Sequence, residues 1–134
     1  MKKLAHQQAG ELGEALALAK LNTLDLAAYS SPPGAPGHDL VVVSNGRAHS
    51  IEVKTRQFAK SESEIGRWPV DMKTKAGADF FLFVALDIRT MTPSFYLLTR
   101  EQALSCHKDY SGSGNCVPSA VRATVAANDF RALL

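Results

Sequence analysis

What this chain has little of narrows it first. Cys106 and Cys116 are the only cysteines in 134 residues. Two thiols cannot build the disulfide framework of a small secreted domain, so a reduced, cytoplasmic protein is expected. Cys106-His107 with Cys116 offers a zinc half-site at most, because a structural zinc needs four ligands and no second pair stands nearby. Excess charge is scarce as well. Fifteen Lys and Arg meet thirteen Asp and Glu, a net of +2, which permits a polyanionic partner without arguing for one. No apolar run approaches the ~20 residues of a membrane-spanning helix, and no membrane partner is expected. Met1-Lys2-Lys3 is basic, but His6, Gln7, Gln8 and Glu11 follow in place of an apolar stretch, so no signal peptide is read. No repeat, low-complexity tract or linker interrupts the chain, and one domain over residues 1–134 is expected.

What remains is an ordinary soluble composition, 46% apolar and 21% charged, with uneven charge. Between Arg47 and Lys75 seven Lys and Arg face four Asp and Glu. Gln7 to Leu24 is rich in Ala, Leu, Glu and Lys, and Leu12, Ala15, Leu16 and Ala19 recur at helical spacing, which predicts a helix. Ala27–Tyr29 reads as a short strand, and the Pro- and Gly-rich stretch from Ser30 to Gly37 as a loop. Phe58 to Gly66 reads as an irregular, mobile loop, and Trp68 to Lys75 as a segment with helical character. Phe80 to Leu86 is an apolar run expected to be a strand buried on both faces. A further strand is expected at Ser94–Leu98, then a helix over Arg100–Ser105 capped by Thr99. Tyr110 to Ser119 reads as loop and Ala126 to Leu134 as a last helix, with Phe130 and Leu133 facing inward. The order predicts an α/β fold with a central mixed sheet flanked by helices, in αβββαβ sequence.

The chemistry sits on a hairpin. His38 to Ser44 is a β-branched run, Asn45-Gly46 follows, and Arg47 to Arg56 is a second run. Asn-Gly between two such runs predicts a two-residue type I′ turn. Paired positions then sum to 91, so Asp39 faces Glu52. Side-chain alternation puts Asp39, Glu52 and Lys54 on one face. Opposed carboxylates with Cβ atoms ~4.5–5.5 Å apart repel unless a positive charge lies between them. A hard divalent cation such as Mg²⁺ or Mn²⁺ is the simplest occupant, since it takes carboxylate oxygens and completes its shell with water. Lys54, two residues beyond Glu52, would lie beside that ion and stabilise negative charge developing on a phosphate. His38 and His49 are read as surface or rim residues, His49 on the opposite face, and Trp68 as a core or loop anchor.

Asp39 followed one hairpin later by Glu52-Val53-Lys54 resembles the motif of the PD-(D/E)XK nuclease superfamily, which includes restriction endonucleases and Holliday-junction resolvases. The resemblance extends over about residues 7 to 100, to Ala78-Asp79-Phe80-Phe81-Leu82-Phe83-Val84 and Phe95-Tyr96-Leu97-Leu98-Thr99. It departs from the pattern at His38, where the family name places proline. The resemblance implies a restriction-endonuclease-like core and a metal-dependent endonuclease acting on DNA. It assigns Asp39, Glu52 and the Val53 carbonyl to the metal and Lys54 to the catalytic cation. Many members also carry a glutamate on the first helix. Within Gly10-Glu11-Leu12-Gly13-Glu14-Ala15, Glu14 is preferred for that role and Glu11 is the alternative.

Thr55, Arg56, Lys60 and Arg67 are candidate phosphate contacts, which set affinity rather than sequence choice. Substrate choice is expected in loops such as Gln57–Arg67. Cutting both strands of a duplex would call for a homodimer, because one site cuts one strand at a time. The competing reading is a nuclease-fold module that binds nucleic acid or a protein partner without cutting it.

Overall fold

A computed structural model describes residues 2–32, 39–72, 77–110 and 113–134. Helix α1 (His6–Asn22) comes first, followed by strands β1 (Ala27–Ser30), β2 (Leu40–Ser44) and β3 (Arg47–Phe58). Strands β4 (Trp68–Pro69), β5 (Phe80–Asp87) and β6 (Thr92–Thr99) follow, then helix α2 (Arg100–Cys106). The chain closes with β7 (His107–Tyr110), β8 (Ser113–Cys116) and helix α3 (Pro118–Thr124). Five strands form one sheet in the order β1-β2-β3-β5-β6. Only the β3–β5 pair is parallel; the other neighbours are antiparallel, so the sheet is mixed, as the sequence predicts.

The hairpin register is the one the Asn-Gly turn requires. Ser44 pairs with Arg47 and Leu40 with Ile51, and Asn45 and Gly46 both take positive φ, 53° and 75°, as a type I′ turn demands. Strand β5 lies inside the sheet with both faces covered, which is why Phe80 to Leu86 is buried without alternation. On one side Leu40, Val42, Ile51, Val53, Leu82 and Val84 pack against α1 and against Phe130 and Leu133. On the other, Phe81, Phe83 and Leu98 pack against Trp68, Ile65, Ala103 and Val121.

Of the stripe expected on helix α1, Leu16 packs against the core, but the fully buried line lies elsewhere. Ala9, Gly13, Ala17 and Leu21 are its buried residues, whereas Ala15 and Ala19 are exposed. The small side chains let the helix lie close on β3. A Cβ at Gly13 would collide with Thr55 Oγ1 and Cβ.

Several segments differ from the sequence expectation. Trp68–Pro69 is not helical but forms a second sheet in the order β4-β8-β7, and the stretch read as loop from Tyr110 to Ser119 supplies β8 and the start of α3. The last α-helix is Pro118–Thr124 rather than Ala126–Leu134, which holds only a 3₁₀ turn at Arg131–Leu133. Pro118 in the first turn, where its missing N–H costs nothing, starts this helix. Residues 58–66 are fastened rather than loose. Glu64 Oε2 accepts the N–H groups of Lys60 (2.6 Å) and Ser61 (2.8 Å). Glu62 accepts the Tyr96 hydroxyl at 2.7 Å and pairs with Arg122 at 3.1 Å. His38 and residues 73–76 lie outside the described residues.

Trp68 is a core anchor. It is fully buried, stacks on Phe83 at 5.3 Å and donates its indole N–H to the Val84 carbonyl at 3.1 Å. No described helix is long and apolar enough to cross a membrane.

Candidate active site

Strand β3 runs to Phe58, but its partner β2 begins only at Leu40, opposite Ile51. Beyond that pair the β2 side of β3 is open, while its other side continues in register with β5 from Ile51 to Phe58. Asp39 stands at this divergence. The Asp39 N–H still donates to the Ile51 carbonyl at 2.8 Å, and its Oδ2 accepts the Val53 N–H at 2.8 Å. The carboxylate thus takes the place of the strand that has ended, satisfying a donor that would otherwise lack a ladder partner. In an extended strand the N–H and C=O of one residue point to the same side, so the Val53 carbonyl also faces Asp39.

Glu52 and Lys54 project from the sheet face opposite α1 and form an ion pair with Nζ 3.6 Å from Oε1. Glu14 comes from α1. The glycine before it permits the close approach to Thr55, and Glu14 thereby reaches the Asp39 carboxyl for a hydrogen bond. Glu11 is exposed and affects Glu14 only through weak repulsion, which separates the two helix acids.

The electrostatics show crowding. Burial, then the charge of Asp39 and the hydrogen bond to it, push the Glu14 carboxyl up to about 7, and Lys54 opposes the rise. Glu52 is also raised, chiefly by burial and then by Asp39 and Asp71, against the pull of Lys54. Among the described residues, three carboxyls therefore share one nearby ammonium. Asp71 belongs to the electrostatic surroundings of Glu52. It sits just after β4, and its placement follows from a strand that local sequence did not announce.

The donor set suits a hard divalent cation. Beside Lys54 the convergent groups are oxygens, the acids are in excess over positive charge among the described residues, and Val53 adds a carbonyl. Among the described residues no three Asp, Glu, His or Cys side chains form a ready-made cage. An ion held by two carboxylates, a carbonyl and water does not require one.

The candidate phosphate contacts separate. Arg56 is half-buried and donates Nε to the Arg67 carbonyl at 3.1 Å. Lys60 and Arg67 are exposed. Thr55 is a correction: its hydroxyl is buried without a hydrogen-bond partner against Gly13, so it does not reach a phosphate in solvent. His49 lies on the α1 side, edge-on to Phe80 at 5.4 Å. Cys106 and Cys116 are free and buried; burial pushes the Cys116 thiol up to about 12, which leaves it inert at neutral pH.

The chain has a mixed α/β fold shared with a DNA-cleaving protein. Among solved structures it is similar to the bacterial homing endonuclease I-Ssp6803I, with a TM-score of 0.56 and 18% identity over 86% of this chain and 77% of that one. The likeness at that identity is one of fold. No family model matches the chain, and no curated protein matches it in sequence.

Proposed function

We propose that this protein is a divalent-metal-dependent nuclease of the PD-(D/E)XK type that hydrolyses DNA phosphodiester bonds. The observation that carries the reading is the meeting of Glu14, Asp39, Glu52 and Lys54 where β2 leaves β3. The likeness of fold to a homing endonuclease supports it. Asp39, Glu52 and the Val53 carbonyl would hold Mg²⁺ or Mn²⁺, which supplies phosphate polarisation and a more acidic water when bound.

The chain's own groups complete the chemistry. Lys54 Nζ neutralises charge developing on the non-bridging phosphate oxygens. Glu14, hydrogen-bonded to Asp39, would orient that carboxylate or take up a proton during hydrolysis. The backbone N–H of Val53 keeps the Asp39 carboxylate in one orientation. Cleavage of both strands of a duplex would bring a second copy of the chain to the DNA.

Calorimetric titration with Mg²⁺ and Mn²⁺, on the wild type and on Asp39→Ala/Glu52→Ala, tests the reading together with cleavage assays on duplex, branched and single-stranded DNA. Binding and cleavage that both disappear in the double variant are expected. Metal-independent DNA binding without cleavage in the wild type would instead favour a non-catalytic module.

A further inference from the structure

The open edge of β3 does not end at the acids. A hollow of about 310 Å³ lies against Lys54, Arg56, His6 and Gly10. A second, of about 240 Å³, lies against Arg56, His6, Lys3 and Glu64. The two share His6, Thr55 and Arg56 and so form one groove leading from Lys54 to Lys3. Its wall is held in place from the far side, because the Gln57 side chain accepts the Leu4 N–H at 2.8 Å and donates to the Leu4 carbonyl at 2.7 Å. These two hydrogen bonds lay the segment carrying Lys3 and His6 alongside β3.

The lining is cationic in effect. Lys54, Arg56 and Lys3 supply charge and His6 supplies ring nitrogens. Glu64 is the one acid, and its carboxylate is turned onto the backbone N–H groups of residues 59–61, which hold it below the ordinary carboxylate range. Lys3 reaches Glu64 only at 3.9 Å and its side chain is 54% exposed. Arg56 gives one of the five N–H donors of a guanidinium to Arg67.

We infer that this groove is a track for the sugar-phosphate backbone of one DNA strand, holding the phosphates next to the one cleaved, with Lys3 and His6 as its outer contacts. The inference rests on the nuclease reading for the position of the cleaved phosphate. From Lys54 to Gln57 the strand advances about 10 Å at ~3.3 Å per residue. That length matches about two successive phosphates of one strand, whose spacing along the backbone exceeds the ~3.4 Å helix rise. A regular polyanion suits a lining that carries cationic side chains at intervals, here Lys54, Arg56 and Lys3.

The test is fluorescence anisotropy of labelled duplex and single-stranded oligonucleotides in EDTA across a salt series. Wild type, Lys3→Gln, Lys3→Arg, His6→Gln and the distant control Lys108→Gln are compared, each checked by thermal melting. Lys3→Gln is expected to flatten the slope of log affinity against log salt by about 0.7–0.9, the loss of one phosphate contact. Lys3→Arg is expected to keep the slope, His6→Gln to weaken binding several-fold, and Lys108→Gln to change nothing. In cleavage assays Lys3→Gln should raise KM and leave kcat within about twofold. An unchanged slope in Lys3→Gln, or an equal change in Lys108→Gln, overturns the track. If that happens while Asp39→Ala still abolishes cleavage, the groove has failed and the nuclease reading stands. If Lys3→Gln flattens the slope and the wild type cuts nothing with any metal, the reverse holds.

Discussion

Acids in this molecule live under two regimes. Asp87 and Asp129 each hold an arginine two residues on, Arg89 at 2.9 Å and Arg131 at 2.7 Å. Their carboxyls are pulled down, Asp129 to about 2. Glu14 and Glu52 are pushed up, because burial and neighbouring acids outweigh the single Lys54. The surface pairs are closed within themselves and ask for nothing further. Among the described residues, the cluster where β2 begins is left with negative charge that Lys54 alone does not balance. Folding alone gives no reason to gather acids there, whereas a functional site does.

The comparison is broken most directly by activity. Glu52→Gln or Lys54→Ala is expected to lower DNA cleavage on the order of 10³-fold, comparable to losing one main transition-state contact. Asp87→Asn and Asp129→Asn should cut like wild type. Equal losses in both groups would sink the distinction.

A second test addresses how Glu14 enters the cluster. Gly13→Ala should cost about 1–3 kcal/mol in chemical denaturation, as expected for a methyl forced into a closed interface. It should also weaken cleavage by shifting Glu14 away from Asp39. A fully stable, fully active variant would show that α1 does not depend on the glycine for its approach.

The smallest effect is the most specific one. The Glu14 carboxyl rises from 4.5 unfolded to about 7 folded. Between those values the folded chain keeps a proton that the unfolded chain has released, so stability contributed here falls as pH rises. Asp129 has the opposite sign. Its carboxyl drops from 3.8 to about 2, and its contribution is present above 3.8 and lost as pH falls toward 2. Melting curves of metal-free protein should show Glu14→Gln gaining on wild type from pH 4.5 to 7. Asp129→Asn should fall slightly behind wild type at neutral pH and draw level in acid. Parallel curves for the two variants would remove the electrostatic contrast.

Much of this was legible in the chain because it is local. Asn45-Gly46 sets the hairpin register, the run from Phe80 marks an inner strand, and Thr99 caps α2 by accepting the Gln102 N–H at 3.2 Å. The register puts Asp39 one step beyond the last pair, Leu40 with Ile51, close enough to Glu52 for its charge to raise that carboxyl. What was not legible depends on partners distant in sequence. Gly114 and Asn115 have little strand preference, and β8 exists because Trp68 and His107 flank it in the second sheet. Asp71 reaches the surroundings of Glu52 through that same sheet. On α1 the helical spacing of Leu12, Ala15, Leu16 and Ala19 marks a neighbouring face, whereas close packing on β3 buries Ala9, Gly13, Ala17 and Leu21.

The turn at Asn45-Gly46 has a consequence well beyond its own position. It lies six residues from Asp39, roughly 20 Å along the strand, yet it sets which residue of β3 Asp39 meets. Adding or removing one residue there would turn Asp39 toward α1. Changing two would slide it by ~6.6 Å and keep its face. The turn works as a ruler with only even marks, and the spacing of the two acids is read off at its far end while β3 and β5 stay in register.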